Sequence, residues 1–243
     1  MNHKRLWISI ALFIVLGLIG FNAAASAISA QSQPAATPAP GRPVAPRFPL
    51  PQALVADVAA LNPAPTAYTN YVRLTDDSDF LSIEIPAEWS DVETDRWVVR
   101  GQDIGIYIAA APDLSQFYDS HSQPGVFFGA SIVLVGNQRV ANGALTTHPA
   151  LRQLLSDEKA SRRGQCQDGG RFSYQDNFYL GNYDLYLKCQ SGSPSQIVLV
   201  SMPPSQQYLT LLRIHITSEA DLDAASHIFE SYQVLNSSLE DDD

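Results

Sequence analysis

The sequence is short of charge, of cysteine and of basic residues. Of 243 residues only 16% are charged while 45% are apolar, which excludes a disordered polyampholyte and a coiled coil. Lys and Arg number 15 against 25 Asp and Glu, a formal net charge of −10. That balance works against neutralising phosphates, so no nucleic-acid partner is expected. There are two cysteines, Cys166 and Cys189, and neither follows the apolar stretch near the N-terminus, which excludes a lipoprotein anchor. The histidines His121, His148, His215 and His227 are scattered, with no His-x-x-x-His pair for zinc. Gly164, Gly169 and Gly170 do not fit a Gly-x-Gly-x-x-Gly phosphate loop. No Gly-x-Ser-x-Gly elbow and no internal repeat occurs, and no cofactor is expected.

What is there begins with an address. His3-Lys4-Arg5 precede the uncharged run Leu6–Phe21, and small-residue sites follow at Ala25-Ser26-Ala27 and Ile28-Ser29-Ala30. Residues 1–30 therefore read as a Sec-type signal peptide, or as a retained N-terminal membrane anchor, since Leu6–Ala30 is long enough to span a bilayer of ~30 Å. In either case the basic start holds the N-terminus inside and the rest is exported, extracellular or periplasmic. Membrane contact is expected only through this segment. Without it the chain keeps 13 basic against 25 acidic side chains, and four of those acids form the tail Glu240–Asp243, within an acidic C-terminal stretch 237–243.

Residues 31–67 hold nine of the 16 prolines, from Pro34 to Pro65, in an alanine-rich background. Proline fixes φ and removes a donor, so this reads as an extended Pro/Ala linker. Leu54, Val58 and Leu61 recur at helical spacing and predict a short helix over Gln52–Leu61. The domain itself is read as 68–236.

From Tyr68 the texture is that of short strands. In Phe80–Ile85 the apolar Ile83 and Ile85 alternate with Ser82 and Glu84, the period of a half-buried strand. Tyr71–Thr75, Phe80–Pro86, Trp97–Arg100, Asp103–Ala111, Val126–Val135, Arg171–Tyr174, Tyr179–Cys189, Gln196–Met202 and Tyr208–Thr217 are the predicted strands. A helix is predicted over His148–Ala160, capped by Thr147, with Leu151, Leu154 and Leu155 on one stripe. A final helix follows Ser218 and Asp221, a Ser-x-x-acid capping box, with Leu222, Ala225, Phe229, Tyr232 and Leu235 along one face. Strands in series with interspersed helices predict an α+β fold, an antiparallel sheet covered by helices.

The run Phe80-Leu81-Ser82-Ile83-Glu84-Ile85-Pro86-Ala87-Glu88-Trp89 resembles the aromatic–strand–Pro-x-x-Trp opening of PsbP-like domains. These include the extrinsic oxygen-evolving subunits of photosystem II and relatives that bind the Ran GTPase. His227-Ile228-Phe229-Glu230-Ser231-Tyr232 resembles their closing helix. Pro124-Gly125-Val126, Leu151–Leu155, Cys166 and Cys189 occur in the order found in exported bacterial members of this superfamily, some attached to trypsin-like proteases. The likeness spans about 68–236 and rests on short, mostly structural motifs. It implies an α-β-α sandwich around a central antiparallel sheet, used for binding or assembly without covalent chemistry.

Several residues are candidates for a site. In an exported chain the two thiols predict a Cys166–Cys189 disulfide pinning the hairpin between them, worth about 3 kcal/mol by loop closure. The rival use of one thiol is a nucleophile with His148 or His215 as base. Ser193 or Ser195, in the cluster Ser191–Ser195, with His215 would be a serine hydrolase, although Gly, Ser and Pro between two strands make a turn. His215 sits on the strand face opposite Ile214 and Ile216. Asp76, Asp77 and Asp79 would make a calcium- or manganese-responsive loop, without the EF-hand spacing. Aromatic residues crowd the middle of the domain, and surplus tyrosines suit a binding surface. Phe178, Tyr179 and Tyr183 at the hairpin, with Phe117 and Tyr118 in the loop Asp113–Gln123 beside it, are the expected contact for a protein partner in the envelope or extracellular space. The favoured reading is an exported non-catalytic binding or assembly module, with hydrolase and metal-responsive domain as alternatives.

Overall fold

A computed structural model describes residues 50–61, 67–141, 145–189 and 194–235. The segment read as signal or anchor, most of the Pro/Ala stretch, Ser193 and the acidic tail lie outside the described residues.

Alternating apolar residues build two sheets. The smaller has β2 (Leu81–Pro86) at its centre, flanked by β1 (Tyr71–Thr75) and β10 (Gln233–Val234). The larger holds β3 (Asp91–Val99), β4 (Gln102–Ala111), β5 (Gly125–Ser131), β6 (Gln167–Gln175), β7 (Leu180–Leu187), β8 (Ser195–Met202) and β9 (Leu209–Ile216). Their order across the sheet is β3-β4-β5-β9-β8-β7-β6, antiparallel at every junction. Among the described residues three α-helices, α1 (Gln52–Leu61), α2 (Pro149–Ser161) and α3 (Glu219–Ser231), complete the fold. The α+β class read from the sequence is the class observed.

The period of two sorts β8 and β9 onto two cores. Ile197, Leu199, Leu212, Ile214 and Ile216 face one side, where α3, α1 and the small sheet cover them with Leu54, Val58, Ile83, Ile85, Ile228 and Phe229. Val198, Val200, Leu209 and Leu211 face the other, under Leu151 and Leu155 of α2. The large sheet is thus the middle layer between helices. The segments Phe80–Trp89 and His227–Tyr232 lie on the α3 side, where Ser231 Oγ accepts from Glu84 N–H at 3.1 Å. Trp89 is fully buried there, and its indole donates to Tyr68 Oη, which donates to Asp221 at 2.6 Å.

Some boundaries differ from the expectation. Strand β3 begins at Asp91 because it is a polar edge strand whose one buried side chain is Trp97, so no alternation announced it. Strand β5 ends at Ser131, whose hydroxyl donates to Ile104 carbonyl and accepts from Leu134 N–H, turning the chain. The cap of α2 is His148 rather than Thr147: its Nδ1 accepts from Ala150 N–H at 3.2 Å. Helix α1 packs on the core, with Leu54 and Val58 fully buried, and Asp57 accepts from Ser195 Oγ at 2.6 Å and Lys188 N–H at 3.1 Å. The packed unit therefore reaches back into the stretch read as a linker. No helix among the described residues is long and apolar enough to cross a membrane.

Candidate functional site

Strand β9 places Arg213 and His215 on the face toward α2, and the last turn of α2 places Glu158 and Arg162 above them. Phe117, Tyr118 and His121, from the helical turn Gln116–Ser120 and its C-cap, close the third side. The result is a cleft of about 250 Å³, also lined by Gln196. Its position needs a glycine: a Cβ on Gly125, which pairs with His215, would lie 2.7 Å from Phe117 Cδ2. The bare backbone lets the Phe117 ring sit 4.4 Å from the His215 ring.

The charges form a fixed triad. Arg213 Nε and Nη2 donate to the two oxygens of Glu158 at 2.8 and 2.5 Å, and Arg162 Nη1 donates to Oε2 at 2.8 Å. Arg162 Nε donates to Gln196 Oε1 at 2.7 Å. Each guanidinium also lies over a ring, Arg162 on Tyr186 and Arg213 on Phe127, at 5.1 and 4.9 Å. Burial pushes the Glu158 carboxyl upward, but the hydrogen bond and charge of Arg213, then Arg162, outweigh it and hold Glu158 below its usual range. His215 is 4% exposed, and its Nδ1 is buried without a hydrogen-bond partner. Burial, then the neighbouring His121 and the two arginines, pull it down from 6.5 to about 3, so the ring is neutral at ordinary pH.

Apart from the two cysteines, the residues singled out in the sequence do not come together as expected. Cys166 and Cys189 are joined as a disulfide. Tyr179 and Tyr183 are 2% and 3% exposed and belong to the core on the α3 side, so they are packing residues and not a contact surface. Tyr179 is held by its partners, stacking on Tyr232 and donating no surface, with its Oη accepting from Val234 N–H at 3.0 Å. Phe178 stays 58% exposed at the hairpin turn. Phe117 is buried in the other core, so the loop Asp113–Gln123 lies across the sheet from that packing and not beside it. Tyr118, 39% exposed, stands at the rim of the cleft.

Ser195 and His215 cannot act as a pair. Ser195 is registered with Ile216 and His215 with Gln196, so the two side chains leave opposite faces of the sheet. The Ser195 hydroxyl is buried and spent on Asp57. Asp76 is equally occupied: Oδ1 accepts from Phe80 and Leu81 N–H and Oδ2 from Ser78, the work of a turn. Those bonds outweigh the upward push of burial and hold its carboxyl low. Glu158, Arg162, Gln196 and Arg213 were passed over in the sequence. Their signal was the i,i+4 spacing of Glu158 and Arg162 and two polar residues on one face of the apolar run Leu211–Ile216.

No family model matches the sequence, and no curated protein does. Among solved structures, the chain is similar to the solution structure of cyanobacterial PsbP (CyanoP) from Synechocystis sp. PCC 6803. The identity is 12% and the TM-score 0.42, over 68% of this chain and 92% of that one.

Proposed function

We propose that the chain is an exported, PsbP-like binding and assembly module of the cell envelope that engages a protein partner without covalent chemistry. The cleft between α2 and β9 is its recognition site. The observation that carries this reading is the cleft itself: two arginines fixed by a buried Glu158, with an exposed Tyr118 at the rim. Arg and Tyr are the residue types that dominate interface energetics, and pre-ordered side chains cost less to immobilise on binding. The N-terminal basic and apolar pattern and the disulfide support export. The separation of Ser195 from His215 removes the described half of the hydrolase alternative.

Full-length tagged chain, mildly cross-linked in its own envelope fraction and purified, tests the reading by mass spectrometry. One or two near-stoichiometric proteins are expected, and Tyr118→Ala should lose them while Phe178→Ala retains them. Equal capture by the Tyr118→Ala chain would refute the placement.

A further inference from the structure

Glu158 takes three guanidinium hydrogen bonds, yet the triad keeps one net positive charge. Among the described residues, Arg162 Nη2 and Arg213 Nη1 make no hydrogen bond, so each fork retains donors. His215 lines the same cleft. Its Nδ1 is buried and has no hydrogen-bond partner. A buried polar atom without a partner costs about 1–3 kcal/mol, a cost that Phe at the same place would avoid. The cleft thus offers donors for an anion and, within the same walls, a buried imidazole nitrogen that lacks a partner.

We propose that the cleft binds a carboxylate carrying an amide N–H or hydroxyl beside it: the carboxylate accepts from Arg162 and Arg213, and the adjacent group hydrogen-bonds the neutral His215 ring. This rests on the reading of the cleft as the recognition site and names the group it takes. One net charge suits a carboxylate better than a phosphate dianion, and 250 Å³ is below the roughly 300–1,000 Å³ of sites for larger ligands. The carboxylate has two possible sources, an acidic residue of the protein partner, with its own backbone amide, or a free hydroxy acid.

Calorimetric titration of the full-length chain separates these. The probes are N-acetylglutamic acid α-amide, its glutamine counterpart, gluconate and inorganic phosphate. Saturable binding of at least one acid is expected, and none of the glutamine compound. Glu158→Gln, which raises the triad to two net charges, should tighten the acid by about tenfold, an effect a purely structural Glu158 would not have. His215→Phe, expected to fold, should weaken it about fivefold. Tighter binding of gluconate assigns a free acid as the source. Tighter binding of the glutamic acid amide, with displacement of the captured protein, assigns the partner's side chain. No saturable binding of either acid overturns the proposal, as does phosphate binding equally well with His215→Phe without effect. Loss of capture in Tyr118→Ala would still leave the recognition site standing in that event.

Discussion

A neutral imidazole buried under an aromatic ring makes stability depend on pH in a defined window. His215 titrates near 6.5 when unfolded and about 3 when folded, so the unfolded chain binds the extra proton between those values. Stability is therefore complete above about pH 6.5 and falls as pH drops toward 3, at up to about 1.4 kcal/mol per unit. Glu158, held low by Arg213 and Arg162, acts in the same direction, its share being lost as pH falls below the ordinary carboxylate value of 4.5. Thermal melts of His215→Phe should show a flatter profile between pH 6.5 and 4.5, with a melting temperature at pH 7 no lower than that of the parent chain. An unchanged slope would mean that His215 is not buried neutral. At the same scale, Tyr179→Ala and Tyr183→Ala each remove a buried ring and should cost about 3–5 kcal/mol. The double variant is expected to lose its cooperative melt, whereas Phe178→Ala should leave the melt within about 0.5 kcal/mol.

At the scale of elements, α1 and the disulfide tie the large sheet from outside. Leu54 and Val58 seat α1 in the core beside α3, so Leu54→Ala should destabilise by about 2–5 kcal/mol in a denaturant titration. A linker helix would show no such loss. Reducing Cys166–Cys189, 23 residues apart, should cost about 3 kcal/mol and lower the midpoint without altering the strand content seen by circular dichroism. The elements legible in the sequence were those whose apolar residues keep a clean period, such as β2, β9 and α3. Those that were misread break the pattern for physical reasons. Strand β3 is an edge with one buried residue, and β10 is two residues long, stabilised by pairing with Leu81 and Ser82. The α2 cap is a histidine, because an unprotonated Nδ1 can accept the helix amide as Ser or Thr would.

Across the whole molecule, the middle sheet separates two sets of chemistry that lie close in sequence. Ser195 and Gln196 are neighbours along the chain, yet one supports Asp57 and α1 while the other lines the cleft. Fold class was legible because it follows from pattern alone. The cleft was not, because Glu158, Gln196 and Arg213 meet through strand register and helix packing, which no local window contains. The tyrosine-rich hairpin looked like surplus surface for the converse reason: Tyr174 and Tyr179 of the β6–β7 hairpin and Phe229 and Tyr232 at the end of α3 bury one another. The direct test of the binding account is site-specific photo-cross-linking in the native envelope, with a photoreactive residue at position 118 or at position 178. A discrete adduct from position 118 and none from 178 is expected, and an adduct from 178 alone would contradict the account.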